Sequence, residues 1–190
     1  MAALEIERKF LVMKPDTMTL VRKHNAQVKY IEQTYLKASV GERRVRRVTT
    51  VIVGEDDYIS TFYYTEKRPA DSTGLIREEN ETVISYKTFG QLILEADPEY
   101  KTIIKTRYEF YIGTQKYELD IYDFDKKYAI LEIELESKDA EFEWPNDIVK
   151  VKEVTGDKNF KNNSIARTLK LPVEDWLINR QTTHRKRKTE

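Results

Sequence analysis

The sequence predicts a mainly β protein of the α+β class, in which the strands form an antiparallel barrel or a strongly curved sheet. Polar and apolar residues alternate with a period of two along most of the chain, which is typical of strands. Short links join these segments, and "SVGE", "VGEDD", "IGTQ" and "DFDKK" carry Gly or Asp where a tight turn needs them. Many strands joined by short links favour such an architecture.

Eight strands follow from this alternation. They are expected at 3–12, 29–38, 42–53, 58–67, 76–87, 101–112, 115–124 and 128–137. The segment "RPADSTG" between the fourth and fifth strands is long enough to be an open loop.

Helices are expected in the gaps between strands and after the last strand. "DTMTLVRKH" has Asp16 as its N-cap, "TFGQLILEA" follows Thr88 in the same way, and "NNSIARTLKL" is helical. "KDAEFEW" is expected to be a turn or short helix that Pro145 ends, and "PVEDWLINR" a helix that Pro172 begins.

Length and composition indicate one globular domain, expected over residues 1–178, with a basic, flexible tail over 179–190. The chain carries 33 basic and 33 acidic side chains. This balance argues against nucleic acid as a partner, because nucleic-acid-binding domains usually carry net positive charge. There is no apolar run of the roughly 20 residues that a membrane span needs, and no secretion signal, so we predict a cytoplasmic protein without membrane contact.

The chain has no cysteine and only two histidines, His24 and His184. Thiol nucleophiles, disulfides and thiolate metal sites are therefore excluded, and a histidine-rich zinc site is not expected. Any bound metal must be held mainly by carboxylate oxygens, which favours Mg²⁺, Mn²⁺ or Ca²⁺.

Rows of charge run along one face of the predicted strands, since alternate side chains of a strand share a face. In chain order this face carries Glu5, Glu7, Lys9; Glu42, Arg44, Arg46; Thr65, Lys67; Arg77, Glu79, Glu81; Lys105, Arg107; Glu118, Asp120, Tyr122; and Glu132, Glu134, Glu136. The face either meets solvent, as in many antiparallel sheets, or lines the inside of a closed sheet. An inward face implies a ligand, because buried charges are costly unless they are paired or bind ions. Basic rows suit phosphates and acidic rows suit a divalent cation, so the ligand would be a metal-bound polyphosphate.

The ordered set of motifs resembles the CYTH family, also called the triphosphate tunnel metalloenzymes. The matching motifs are the E-x-E-x-K of Glu5, Glu7 and Lys9, "QTYL" at 33–36, Arg44-x-Arg46, "TEK" ending at Lys67, Glu79-x-Glu81, Lys105-x-Arg107, "ELD" ending at Asp120, Glu132-x-Glu134-x-Glu136 and "EVTGDKNFKNNSIA". The resemblance covers residues 3–170. "EIERKFLV" and "EVTGDKNFKN" together are similar to the bacterial inorganic triphosphatase branch.

The resemblance implies an eight-stranded antiparallel closed β-barrel, the triphosphate tunnel, with helices packed outside. It also implies a small-molecule triphosphate as the partner and Mg²⁺ or Mn²⁺ as the cofactor. A homodimer is an open option for the assembly.

The resemblance, taken with the charge of each side chain, assigns roles to the residues. The metal ligands would be Glu5, Glu7, Glu79, Glu81, Asp120, Glu132 and Glu134. The substrate-binding residues would be Lys9, Tyr35, Arg44, Arg46, Lys67, Arg77, Lys105 and Arg107, of which Lys9, Lys67 and Lys105 are also assigned as catalytic. Three points stay open: whether Glu79 and Glu81 bind a second metal or pair with the basic residues, whether Tyr35 contacts substrate or only packs, and what Glu136 and Lys158 do.

Three functions are compatible with these residues. The first is hydrolysis of inorganic tripolyphosphate, in which water attacks a clamped phosphate. The second is an enzyme acting on an organic triphosphate, either a thiamine or nucleoside triphosphatase or a class IV adenylate cyclase that uses the ribose hydroxyl in place of water. The third is a non-catalytic module that binds polyphosphate or nucleic acid.

Overall fold

One antiparallel sheet dominates the computed structural model, which describes residues 6–51, 57–69, 77–137 and 140–173, apart from the side chains of residues 69, 77 and 78. Its strands are β1 (Ile6–Met13), β2 (Gln27–Leu36), β3 (Glu42–Val51), β4 (Tyr58–Pro69), β5 (Arg77–Ile84), β6 (Ile103–Ile112), β7 (Gln115–Tyr122), β8 (Tyr128–Leu135) and β9 (Lys150–Glu153). The helices are α1 (Thr17–His24), α2 (Tyr86–Leu92) and α3 (Asn162–Thr168). The prediction of a mainly β, antiparallel fold is confirmed.

Over the residues described, the sheet is open and has nine strands in the order β5-β4-β3-β2-β6-β7-β8-β1-β9. The prediction of a closed eight-stranded barrel is therefore not confirmed. Closure would pair β1 with β5, but β9 occupies that edge of β1, with Phe10 opposite Glu153. Arg8 reinforces the contact by donating from Nε and Nη2 to the Glu153 carboxylate, at 2.8 and 2.5 Å. Among the described residues, no ladder joins β1 to β5.

The helices follow the sequence with two corrections. Asp16 caps α1 as predicted, since its carboxylate accepts from the backbone N–H of Met18 at 3.1 Å. Helix α2 begins earlier than predicted, because Ser85 rather than Thr88 supplies the cap. The predicted turn or helix at "KDAEFEW" is irregular chain over 140–144. The predicted helix at "PVEDWLINR" lies almost wholly outside the described residues, as does the tail.

Two apolar clusters stabilise the fold on opposite faces of the sheet. The first packs α1 and the segment 140–148 onto the face that carries Phe10 and Leu119. The second packs α3 against side chains that share the parity of the charged rows, and its members include Leu11, Ile103, Tyr122, Ile130, Phe160 and Ile165. The same row thus changes from charged to apolar along β1, β6, β7 and β8, and α3 covers the apolar end. This differs from the expectation that every helix packs outside.

Within the described part of the chain, no helix is both long enough and apolar enough to cross a membrane.

Candidate functional site

A charged cavity of about 640 Å³ lies within the curve of the sheet. It is lined by Glu7, Lys9, Gln33, Tyr35, Glu42, Arg44, Arg46, Lys67, Glu79, Glu81, Lys105, Arg107, Lys116, Glu118, Glu132, Glu134, Lys161, Asn162 and Asn163. These residues come from all of β1 to β8 and from the start of α3. The sheet therefore curls far enough to bring β1 and β5 to one cavity, although the two strands are not paired.

The structure gathers most of the predicted site residues in this cavity. They are Glu7, Lys9, Tyr35, Arg44, Arg46, Lys67, Glu79, Glu81, Lys105, Arg107, Glu132 and Glu134. Asp120 is not on the wall of the cavity, because it is fully buried behind it. Glu5 and the side chain of Arg77 lie outside the described residues. Glu136 is exposed after the end of β8, and neither it nor Lys158 lines the cavity.

Several cavity residues were not predicted as site residues. Glu42, Lys116 and Glu118 share the parity of the charged rows, so the alternation within β3 and β7 was sufficient to find them. Lys161 and the two asparagines after it have no such indication, because they come from a segment without period-two alternation.

The β1 side of the cavity is set by cross-strand register. Lys9 lies opposite Glu132, and Glu7 lies opposite Glu134. The Lys9 ammonium is 2.7 Å from the Glu132 carboxylate and 3.6 Å from that of Glu7. Burial lowers the pKa of Lys9, but these carboxylates outweigh it, so its pKa lies above the ordinary value. Lys9 is therefore a charged ammonium at neutral pH.

A buried ion network joins β6 and β7 behind the cavity wall. Asp120 accepts from Lys105 Nζ at 2.5 Å and from Arg107 Nε and Nη2, each at 2.7 Å. Arg107 also contacts Glu118, and its Nη2 is 3.1 Å from Glu132. Burial raises the pKa of Asp120, but Arg107 and Lys105 outweigh it, and the pKa lies below its usual range. Burial dominates at Lys105 and lowers the pKa of its ammonium to about 8.

Arg44 and Arg46 on β3 form the opposite wall. The Arg44 Nη2 is 3.2 Å from Glu79, which also contacts Lys67 at 2.6 Å, while Arg46 pairs with Glu81. The Nε groups of both arginines are nevertheless buried and have no hydrogen-bond partner in the part of the chain that the structure describes. An unpaired buried donor costs about 1–3 kcal/mol. Two such donors on adjacent guanidinium groups fit an anionic ligand with several oxygen acceptors.

Tyr35 both packs and lines the cavity. Its side chain is buried, its ring centre lies 5.1 Å from that of Tyr100, and its hydroxyl accepts from Gln33 Nε2 at 2.8 Å. Burial raises the pKa of the Tyr35 hydroxyl, so it stays protonated at neutral pH.

The carboxylates of the cavity match a divalent metal in chemistry but are arranged as ion pairs. Glu7 faces Glu134, and Glu118 faces Glu132, across neighbouring strands. Facing like charges are destabilising without a cation between them. Arg107 contacts both Glu118 and Glu132, and Lys116 joins the two facing pairs, with Nζ 2.7 Å from Glu118 and 3.0 Å from Glu134. Over the described ranges, no three acidic or histidine side chains are grouped so that they could hold a metal ion.

The comparison with protein families agrees with the motifs. The family model of the CYTH domain matches residues 3–169, so the chain belongs to the CYTH domain family. The resemblance noted from the sequence is confirmed.

Solved structures with a similar fold include the inorganic triphosphatase NE1496. Its structure has a TM-score of 0.57 and 26% sequence identity, over 87% of this chain and 96% of that one. A second structure of NE1496, described as a hypothetical protein, has a TM-score of 0.55 at 26% identity, over 87% and 99% of the two chains. The PH1819 protein from Pyrococcus horikoshii OT3 is more distant, with a TM-score of 0.44 and 16% identity over 70% and 81%. No curated protein matches the chain.

Proposed function

We propose that this protein is a divalent-metal-dependent hydrolase of triphosphates, with inorganic tripolyphosphate as its preferred substrate. One observation carries the proposal: Arg44 and Arg46 have buried, unpaired Nε donors inside a cavity that is lined by further lysines and arginines. A linear triphosphate offers many anionic oxygens, which suit such donors. The similarity to NE1496, an inorganic triphosphatase, supports the same substrate class.

The basic residues would bind the phosphates by exchanging partners. Arg44, Arg46 and Lys67 are paired with Glu79 and Glu81. Phosphate oxygens would replace these carboxylates and also reach the unpaired Nε donors. Of the two roles left open for Glu79 and Glu81, these ion pairs favour the partner of the basic residues over a second metal site.

On the other wall, Glu7, Glu132 and Glu134, together with Glu5, would hold Mg²⁺ or Mn²⁺. The described carboxylates are not grouped for a metal while they are paired with Lys9 and Lys116, so binding would require them to leave these partners. When bound, such an ion neutralises charge on phosphate oxygens in the transition state.

Asp120 keeps the Lys105 ammonium and the Arg107 guanidinium in place from behind. The cluster formed with α3 closes the apolar end of the sheet and keeps bulk water from that side.

The proposed reaction is attack of water on a phosphorus atom, with cleavage of one phosphoanhydride bond and release of phosphate. Lys9, Lys67 and Lys105 would stabilise charge on the leaving and non-bridging oxygens. The proposed partner is thus a small-molecule triphosphate. We propose the cytoplasm as the location of the protein.

Phosphate release from a panel of triphosphates tests the proposal. Purified protein is assayed with tripolyphosphate, thiamine triphosphate and ATP, in Mg²⁺ or Mn²⁺ and after dialysis against excess chelator. We expect the highest kcat/KM with tripolyphosphate and no turnover in chelator until metal is restored. Pyrophosphate and a cyclic nucleotide formed from ATP would indicate a cyclase, and tight binding without turnover would indicate a binding module. Full activity in chelator would remove the metal from the mechanism.

A further inference from the structure

Lys161 differs from the other basic residues of the cavity because, among the described residues, no carboxylate pairs with its ammonium. Every other lysine or arginine on the wall has a carboxylate within 4.0 Å: Lys9, Arg44, Arg46, Lys67, Lys105, Arg107 and Lys116. Lys161 lines the same cavity but forms no ion pair with any residue that the structure describes. Among the residues that the structure describes, Lys161 is therefore the basic residue of this wall whose ammonium is not already held by a carboxylate.

The backbone around Lys161 is fixed against the cavity. Phe160 is 3% exposed and belongs to the second apolar cluster. Asn162 Oδ1 accepts from the Tyr122 hydroxyl at 2.8 Å, and Asn163 Nδ2 donates to Glu42 at 3.0 Å. The segment on both sides of Lys161 is therefore held by buried or cavity-lining partners, while its own side chain is exposed.

Lys161 also lies where two cavities meet. A second cavity of about 650 Å³ runs beside β1, and Glu7, Lys9 and Lys161 line both. An ammonium at this position lies on the rim of the charged cavity, where a ligand arriving from solvent would first meet it.

We propose that Lys161 is a further substrate-binding residue, which attracts the triphosphate to the cavity and then contacts its outermost phosphate. This role rests on the proposed function. It adds one more phosphate-binding residue to the arginines and lysines that are paired with carboxylates. An unpaired charge at a rim raises the local concentration of an oppositely charged ligand and its association rate. The paired arginines and lysines deeper in the cavity contribute only after their carboxylates have been exchanged.

Two lysines of one segment provide a matched test. Lys161→Met and Lys158→Met remove the same charge, but Lys158 is exposed and does not line the cavity. We expect Lys161→Met to lower kcat/KM for tripolyphosphate roughly tenfold, the size of one lost charge-assisted contact, through KM and with little change in kcat. Lys161→Arg should restore most of the loss, and Lys158→Met should behave as wild type.

Calorimetry separates this inference from the proposed function. Binding of tripolyphosphate to the metal-free protein should weaken in Lys161→Met and not in Lys158→Met. The difference should shrink at about 1 M salt, where the screening length is about 3 Å. If wild type hydrolyses tripolyphosphate and both variants bind and react alike, Lys161 is an ordinary surface lysine. If wild type has no hydrolase activity, the calorimetric comparison still decides whether Lys161 binds the anion.

Discussion

The alternation of side chains along β1 decides which residues line the cavity. Glu7 and Lys9 line the cavity. Arg8 between them turns to the other face, where it bonds Glu153 and its guanidinium lies 5.0 Å from the ring centre of Phe142. The charged row therefore lines a cavity and not a flat solvent face.

Glu7→Gln tests whether this carboxylate is a metal ligand, since it keeps the size of the side chain and removes its charge. We expect turnover at saturating metal and substrate to fall at least about tenfold, or about 1.4 kcal/mol in barrier. Arg8→Gln is the control on the opposite face, and its turnover should stay near wild type. Losing the half-exposed pair with Glu153 should cost about 1 kcal/mol of stability at most. Equal turnover in Glu7→Gln and wild type would remove Glu7 from the metal site.

The lowered pKa of Lys105 predicts that activity is lost at alkaline pH. Burial lowers the pKa of its ammonium to about 8, so the charge proposed to bind phosphate is present below that pH and lost above it. We expect kcat/KM for tripolyphosphate, measured from pH 6 to 10, to fall as pH rises through about 8. Lys105→Arg keeps the charge at all these values, so the fall should move to higher pH. A profile that is the same in both proteins would assign the limit to another group.

At the scale of elements, the sequence was sufficient to predict β1 to β8 because each is at least eight residues long, which leaves room for a period of two to show. It was not sufficient for β9, whose four residues are too few to establish a period. Nor could it choose between Ser85 and Thr88 as the cap of α2, because both residue types cap helices. The path of the segment after β8 depends on tertiary contacts. Trp144 lies 5.0 Å from Phe10, ring centre to ring centre, and the two residues are too far apart in sequence for a local pattern to predict the contact.

The candidate site, too, could be predicted only in part from the sequence. The parity of the strands predicted most of the residues on the wall, because a shared face needs only the period of the strand. The ion pairs could not be predicted, since they depend on register: Lys9 meets Glu132 only because β1 lies antiparallel to β8 in that alignment. Lys161 was missed because its position follows from the packing of Phe160 and not from any alternation.

Gly41, in the link between β2 and β3, is an element-scale constraint on the cavity. Its φ is +76°, and an added Cβ would overlap the backbone oxygen of Lys67. We expect Gly41→Ala to destabilise the fold by about 2 kcal/mol or more, the combined cost of left-handed backbone and steric overlap. KM should also rise, because Lys67 must move.

Gly113→Ala is the matched control for Gly41→Ala. Gly113 has a φ of +60°, but no atom lies within 4 Å of an added Cβ. Only the backbone term applies there, about 1–2 kcal/mol, and KM should not change. Urea unfolding and tripolyphosphate kinetics on the two variants separate the cost of the left-handed backbone from the cost of the overlap with Lys67. Similar losses in both would mean that the contact with Lys67 is absent.

At the scale of the whole molecule, the balance of 33 basic and 33 acidic side chains reflects how the interior is built. A cavity lined only with cations would bind phosphate but would repel itself when empty. Here the basic residues of the wall are held by carboxylates, with Lys161 as the exception among the described residues. The fold is thus stabilised by ion pairs that the proposed substrate and metal would separate.

This arrangement predicts that the protein loses stability in acid. The pKa values of Asp120, Glu132 and Glu81 lie below their ordinary values of 3.8 and 4.5, because neighbouring arginines and lysines outweigh the effect of burial. Between the lowered and the ordinary pKa, the unfolded chain binds more protons than the folded one, so stability falls as pH falls. Each such proton contributes about 1.4 kcal/mol per pH unit.

Urea unfolding at pH 7, 5, 4 and 3 measures this effect. We expect a constant free energy of unfolding from pH 7 to 5 and a steep loss below about 4.5, where the carboxyls of the unfolded chain take up protons. Glu132→Gln should be less stable than wild type at pH 7 and should show a shallower loss in acid, because one titrating partner is gone. The variant should still fold, since Lys9 remains paired with Glu7 and Arg107 remains paired with Asp120. Glu99→Gln is the control: its pair with Arg167 is exposed, so the acid transition should match wild type. Constant stability down to pH 3 in wild type would show that the carboxylates of the cavity are not paired in solution.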